Sequence, residues 1–456
     1  MMRVKMKYDI AVIGGGPAGS VAAIAAAREG AKTILVERFG CLGGMLTMAG
    51  TGPQMTFHAG NRQVIFGIPQ EITERLQAQG FSPGHQKDAV GYCGTTTAFD
   101  PEGMKLVLET MAREAGVRLL YHTVYTDCTV EGEKIKSARL FSKAGFYDLE
   151  ADYFIDASAD ADLAVGAGVG AVYGRETDNL AQPMTMNARV YNVDREKVLT
   201  YIETHPAEVY PHTPPDLRQY PRYGIQGAYS LVAQAKERGE FKVDRDMVLA
   251  FETNNRGEFI INMTRVIKRS ALDPFDLTEA EIEGRRQVHE TLRFLRTYIP
   301  GFEHCVLMGT GPVIGIRESR KINGVYKLSG GDLTGNVMFP DAIAMGGYPI
   351  DIHSPDGEKT NHRFLRENSW YSIPYRCLIT RELGNLIVTG RCISVTHEAC
   401  AAVRVTPILM AISQGAGTAA AQGFKDQADL RHLNVEKLRA LLKDRGVFLE
   451  EYDDPQ

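Results

Sequence analysis

The pattern of apolar and polar positions divides the chain into elements before any motif is considered. Tyr8–Ile13 is a short apolar run that predicts a buried strand. A glycine turn follows, and Pro17–Arg28, rich in alanine, predicts a helix. Lys32–Glu37 predicts a second strand, so the chain opens with strand, turn, helix and strand over about 30 residues. Arg38 to Gly60 then reads as a loop carrying Gly40, Gly43, Gly44, Gly50 and Gly52. Ile68–Gln79 predicts a helix stopped by Gly80. Asp100 as N-cap and Pro101 in the first turn predict another, running to about Ala115 and ended by Gly116. Alternating runs at Leu119–Val124, Asp127–Glu131, Ile135–Phe141 and Tyr147–Ala151 predict an antiparallel meander, with Gly132 and Gly145 in its turns. Tyr153–Ala157 predicts a further strand back in the main sheet.

From about Arg175 to Pro300 the chain is more polar, with prolines at 206, 211, 214 and 215. Here Glu258–Val266 predicts a strand. Thr278–Tyr298 predicts a long helix, opened by a capping box of Thr278 and Glu281 and ended by Pro300–Gly301. This stretch reads as an inserted substrate or cap domain, which divides the chain into 1–174, 175–304 and 305–456. Beyond it, Asn385–Thr389 predicts a buried strand and Val405–Gln422 a helix of small residues. Asn434–Arg445 predicts an amphipathic helix with Val435, Leu438, Leu441 and Leu442 on one face. The expected class is α/β: a Rossmann-type nucleotide-binding domain with a β-meander and an inserted α+β domain.

Composition narrows this picture. The 456 residues suffice for up to about three domains of ~150 residues. Hydrophobic residues at 44% and charged residues at 23% are ordinary globular usage and argue against disorder. A net charge of −5 offers no basic field, which argues against nucleic acid as a partner. The 46 glycines exceed normal usage and suggest close backbone approach to something bound. The 7 cysteines are widely spaced with no Cys-x-x-Cys, so neither a disulfide framework nor a metal site is expected. Met1–Lys7 reads as too short and polar for a signal peptide. Val405–Ala421, the most apolar helix candidate, contains Thr406, Ser413 and Gln414, which suits a buried helix better than a membrane span. A cytoplasmic protein is expected, and an oligomer of identical chains is left open.

The strongest motif is Gly14-Gly15-Gly16-Pro17-Ala18-Gly19, between the first strand and the first helix. Gly14 permits a tight turn, Gly16 lets the backbone approach a pyrophosphate, and Gly19 lets helix and strand pack closely. The helix N-terminus then faces the phosphates with free N–H groups. Glu37 closes the second strand 23 positions after Gly14, where a carboxylate accepts hydrogen bonds from ribose hydroxyls. A nicotinamide domain would continue with another strand–helix repeat. Here Cys41-Leu42-Gly43-Gly44-Met45 follows instead, and a late strand ends in Gly390-Arg391 before the helix that starts near Val405. An elongated two-ended cofactor would use both regions.

These stretches resemble the FAD-dependent oxidoreductases of the glutathione-reductase structural type, and most closely a bacterial branch that shares the whole chain plan. The resemblance is carried by YDIAVIGGGPAGSVAAIAAAREG, VERFGCLGGMLT, FDPEGMKLVLETMAREAGVRLL, FIDASADADLAVGAGV, GIRESRKINGVY, YPIDIHSPDG, WYSIPYRCLI and NLIVTGRCISVTHEACAAVRVTPILMAISQGAGTAAA. It implies FAD as cofactor. Ile13 and the turn Gly14, Gly15, Gly16, Pro17, Ala18 and Gly19 would lie along the pyrophosphate. Glu37 and Arg38 would lie at the adenosine ribose, and the backbone of Val124 at adenine. Leu42, Gly43, Gly44 and Met45 would follow the ribityl and flavin side. Ala157 and Asp160, next to Asp156, stand where similar proteins carry an Ala-Thr-Gly-Asp-like segment, here with Ser158 and Ala159. Gly390-Arg391 replaces the usual Gly-Asp beside the ribityl chain.

A flavin carries the redox chemistry and the protein positions and polarises it. Arg404 and the helix start at Val405 are candidates to stabilise negative charge on the reduced ring. His397, after the Gly390 turn, and His353, in Asp351-Ile352-His353, are candidate bases. Arg317 and Arg320 read either as anion-binding groups or, more simply, as salt-bridged structural residues. Cys41 has no near cysteine in sequence and reads as a small buried residue. The implied activity is hydride transfer between a small organic substrate and flavin N5, with the electron acceptor undetermined. A flavin-binding electron-transfer protein and an RNA-modifying protein of related fold are the alternatives.

Overall fold

The computed structural model describes residues 5–357 and 360–452. Met1–Val4, part of the stretch read as too short for a leader, lies outside the described residues. The first strand runs over Lys5–Ile13, three residues earlier than expected, because Lys5–Tyr8 pair with Asp148–Ala151. Its second half, Ile10–Ile13, is buried on both faces, as a central parallel strand must be. Thr33–Val36 and then Arg118–Leu120 lie parallel to it on one side. On the other side Gly145–Asp156 is parallel to it, followed by antiparallel Lys134–Ser142 and Val124–Glu131.

The expected meander needs two corrections. Leu119–Val124 is not one strand. Arg118–Leu120 extends the parallel sheet, His122 turns the chain at φ 52°, and Val124 opens the next strand. Tyr147–Ala151 and Tyr153–Ala157 are a single strand, Gly145–Asp156, because no turn residue interrupts them. This strand is long enough to fork. Its first half takes Ser137–Ser142 in antiparallel, and its last residues, Phe154–Asp156, take Leu386–Val388 in parallel. Buried Asn385 fills the fork: its Oδ1 accepts from Ile135 N (2.9 Å), and its Nδ2 donates to Ile135 O (2.9 Å) and Asp152 O (3.0 Å). The backbone groups that the fork would orphan are thereby satisfied.

The Pro17–Arg28 and Thr406–Asp426 helices pack together on this sheet. Small residues make that possible, since a Cβ on Gly417 would sit 2.1 Å from Ala22 O. A five-stranded antiparallel sheet has its own apolar core and the order Gly224–Gly227, Val248–Glu252, Phe259–Ile261, Ala188–Tyr191, Val306–Thr310. The expected Glu258–Val266 strand is thus confined to Phe259–Ile261. The long helix against this core spans Pro274–Tyr298 and starts earlier than expected. Asp273 outcompetes the Thr278/Glu281 box as cap, accepting from the N–H groups of Phe275 (2.8 Å) and Asp276 (3.0 Å), with Pro274 in the first turn. Thr278 instead donates to Pro274 O, and Glu281 accepts from Ile314 N. The Arg38–Gly60 loop holds a 3-10 turn at Gly44–Leu46 and short strands at Gln54–Met55 and His58–Ala59. All seven cysteines are free. Among the described residues no single helix is long and apolar enough to cross a membrane.

One half-buried histidine makes stability pH-dependent. His85 contacts Thr97 Oγ1 through Nδ1 (2.7 Å) and Gln70 Oε1 through Nε2 (2.8 Å), with Phe57 against its ring. The carbonyl oxygen of Gln70 requires Nε2–H, so Nδ1 accepts from Thr97. Burial, and secondarily the nearby His58, lowers its pKa from 6.5 to about 4. The unfolded chain therefore binds the proton first, and stability present above pH 6.5 is lost as pH falls towards 4. The expected loss is about 3 kcal/mol. Urea denaturation at pH 7 and pH 4 checks it, and His85→Gln should shrink the difference.

Candidate active site

The turn after the first strand is closed on two sides and open on the third. A Cβ on Gly14, whose φ is +104°, would meet Ala157 O at 2.4 Å, and one on Gly19 would meet Gly14 O at 1.7 Å. A Cβ on Gly16 meets nothing within 4 Å. Gly43 N–H donates to Gly15 O (2.9 Å), which sets the second glycine pair against the first. The Pro17–Arg28 helix has no side-chain cap, so its first N–H groups are available to a ligand. Glu37 accepts from Gly15 N (2.6 Å) and Phe39 N (2.7 Å), which holds its carboxylate against the turn.

From this turn a cavity with about 1520 Å³ of empty space, solvent at its mouth included, runs through the molecule. One end is walled by Gly16, Pro17, Ala18, Met45 and Ala157. Its middle meets Gly390, Arg391 and the N-terminus of the Thr406–Asp426 helix at Val405, which also lacks a side-chain cap. Its far end is walled by Gln226, Arg245, Leu249, Phe251 and Asn262 from the five-stranded side, and by Arg317, Tyr348, Asp351, His353, His362 and Arg404 from outside that sheet.

A two-stranded hairpin, Ile350–His353 with Thr360–Arg363, explains the polar cluster there. Its register puts Asp351 opposite His362 and His353 opposite Thr360. Residues two apart on a strand share a face, so all four side chains point the same way. His353 Nε2 lies 3.3 Å from Asp351 Oδ2, and His362 Nδ1 lies 3.5 Å from Oδ1. Tyr348 donates to Asp351 Oδ2 (3.3 Å), and Tyr92 Oη lies 2.8 Å from His362 Nδ1. Arg404 reaches Asp351 O (3.4 Å) and lies 3.8 Å from Oδ2. Burial opposes the charge on Asp351, but the His353 contact and Arg404 outweigh it and hold the carboxyl well below its usual range. Burial, then the charge of Arg317, pushes His353 down to about 3, against the pull of Asp351. The arrangement is an ionised carboxylate orienting a neutral imidazole.

The sequence profile described as FAD dependent oxidoreductase matches residues 9–442, nearly the whole chain. The chain belongs to the FAD-dependent oxidoreductases. Among curated relatives, the digeranylgeranylglycerophospholipid reductase of Methanoculleus marisnigri is 29% identical over 181 residues, 37% of this chain and 43% of that protein. The soluble pyridine nucleotide transhydrogenase of Mycobacterium tuberculosis is 36% identical over 77 residues, 15% of this chain and 16% of that protein. The matched stretches thus span less than half of either relative. A geranylgeranyl bacteriochlorophyll reductase-like structure from Thermoplasma acidophilum aligns with 97% of this chain and 84% of its own, at 14% identity and a TM-score of 0.49.

FAD is the cofactor of this family, and the residues of this oxidoreductase fit it: an open glycine, two uncapped helix starts and one cavity joining them. Several expected residues wall that cavity, among them Gly16–Ala18, Met45, Ala157, Gly390, Arg391, Val405, Arg404 and His353. Others are not among its wall residues. Ile13 O accepts from Ala157 N, Leu42 is buried, and Arg38 is exposed over the Phe39 ring. Val124 is exposed at the start of its strand. Asp160 binds Arg391 (2.6 Å) and Ser319, so the unusual arginine of Gly390-Arg391 already has a carboxylate partner.

His397 is not among the cavity-wall residues. Thr396 caps the His397–Val403 helix, and the imidazole turns inward to Glu318 (2.7 Å), which also pairs with Lys321 in full burial. Arg320 takes the salt-bridged role, with Asp162, whereas Arg317 faces the cavity. The sequence reading missed His362, Tyr92, Arg245 and Asn262. The alternation around Asp351 and the turn at Asp356-Gly357 was the one available signal for His362.

Proposed function

We propose that this oxidoreductase moves a hydride between flavin N5 and a C–H or C=C carbon of a small organic substrate at the far end of the cavity. The observation that carries this reading is the continuity of one cavity from the glycine turn to the Asp351 cluster. FAD, when bound, supplies the hydride-accepting or hydride-donating centre. The chain's own residues do the rest. The Gly14–Gly19 turn and the first N–H groups of the Pro17–Arg28 helix hold the pyrophosphate, and Glu37 takes the ribose hydroxyls. The start of the Thr406–Asp426 helix and Arg404 offset negative charge on the reduced ring. His353, oriented by Asp351, holds or releases the substrate proton. The segment 175–304 serves as the cap that closes over the substrate, since Gln226, Arg245 and Asn262 come from it.

The test is anaerobic. The purified protein is expected to show flavin bands and to release FAD on heating. Its flavin is expected to be bleached by a member of a small-molecule panel or, after photoreduction, reoxidised by one. A flavin that photoreduces normally yet exchanges electrons only with proteins would sink this reading in favour of an electron-transfer module.

A further inference from the structure

The substrate end of the cavity carries more positive charge than the protein itself uses. Among the described residues, three guanidinium groups, Arg245, Arg317 and Arg404, line this end with one carboxylate, Asp351, and Arg404 is the one that contacts it. Arg245 is 5% exposed. It spends one nitrogen on Asn262 O (2.8 Å), and its Nε has no partner. The buried Oδ1 of Asn262 is likewise unpartnered. Arg317 spends Nη1 on Pro183 O (2.7 Å) and Thr185 Oγ1 (2.5 Å). Neither Arg245 nor Arg317 is ion-paired with a carboxylate among the described residues; Asp244, Asp246 and Asp351 act on Arg245 only at longer range.

Guanidinium groups that are buried, as Arg245 is, or half-buried, as Arg317 is, and not ion-paired are costly unless something completes them. Here the cost is evident: burial, followed by the charge of Arg265, lowers Arg245 to about 10, and burial beside Arg404 and Arg245 lowers Arg317 well below the arginine range. The surrounding wall is apolar, with Val90, Leu249, Phe251 and Ile316. We propose that the substrate is an organic acid: its carboxylate docks between Arg245 and Arg317, and its apolar body lies against Leu249, Phe251 and Ile316. The inference rests on reading this cavity end as the substrate site. Arg245 comes from the cap segment and Arg317 from the main body, so one carboxylate ties the two halves of the site together. Guanidinium groups supply the paired N–H donors that a planar carboxylate accepts.

The test uses the FAD-loaded full chain and three probes of similar shape, benzoate, benzamide and phenyl phosphate, titrated calorimetrically and by perturbation of the flavin spectrum. Benzoate is expected to bind at least about tenfold more tightly than benzamide and to weaken with salt. Arg245→Gln is expected to weaken benzoate about a hundredfold with FAD content unchanged, and Arg245→Lys to recover part of the loss. Equal affinity for benzoate and benzamide, or binding of neither, would overturn the proposal. Tighter binding of phenyl phosphate than benzoate would reassign the site to a phosphoryl group and also overturn it. Failure of the functional reading is distinguishable, because it appears as a flavin that no small molecule reduces or reoxidises whatever the calorimetry shows. The probe comparison on the parent protein stands even where a variant does not fold.

Discussion

Gly16→Val should fold and melt like the parent yet purify without FAD. The reason is local. The position where a Cβ would stand on Gly16 is empty to 4 Å, so the protein itself does not resist a Cβ there. On the proposed placement the cofactor does, since its pyrophosphate would pass over that backbone to reach the first N–H groups of the Pro17–Arg28 helix. A valine side chain displaces the phosphate from those N–H groups, and losing two such charge-assisted bonds weakens FAD by about a hundredfold or more. Gly19→Val is the contrast. Its Cβ would lie 1.7 Å from Gly14 O, backbone against backbone, which no rotamer relieves. That variant should lose folded yield, because strand and helix must separate to admit the side chain. The flavin-to-protein absorbance ratio and the melting temperature together separate the cases. A Gly16→Val protein that keeps stoichiometric FAD would contradict the placement of the pyrophosphate.

The same turn shows why one end of the site was readable from sequence and the other was not. Gly14–Gly19 is contiguous, and its spacing is dictated by one backbone turn, so the motif is visible in one window. Gly390, Arg391 and Val405 were reached as the second end because a strand and a helix flank them. The substrate end follows no such rule. Arg245 and Asn262 flank the strands of a sheet inserted between the first and last strands of the flavin side, and only the packing of that sheet brings them to the same cavity end as Arg317. His362 depends on the register of a hairpin, which a one-residue slip would reverse. His397 failed for a related reason: proximity in sequence to Gly390-Arg391 suggested proximity to the ring, but the helix that begins there points the imidazole into a buried pair with Glu318. In the fold, Gly145–Asp156 reads as two strands because its pattern switches at Asp152 from alternating to continuously apolar as the strand changes partners, with no turn between the halves.

Asp351→Asn should lower the rate of flavin reduction by about a hundred- to a thousandfold while FAD content stays at the parental level. Asp351 does not reach the cofactor turn; it holds His353 through Nε2 and would stabilise the imidazolium formed when the substrate proton arrives. An amide can present its N–H to the same nitrogen and favour the wrong tautomer, and it offers no charge to the imidazolium. His353→Gln should cost about as much, and the double variant little more, since the two act as a unit. The substitution also removes the one carboxylate that, among the described residues, lines the cavity with Arg245, Arg317 and Arg404. Its effect on substrate affinity therefore runs opposite to its effect on rate: KM for an acidic substrate should fall or stay level as kcat drops. A structural collapse of the cluster would instead raise KM. The pH profile gives a second reading. His353 is held neutral down to about 3, so the parental rate should not fall through the ordinary histidine range as pH drops from 8 to 5. Stopped-flow reduction across that range decides it, and a rate that halves near pH 6.5 would place the proton on another group.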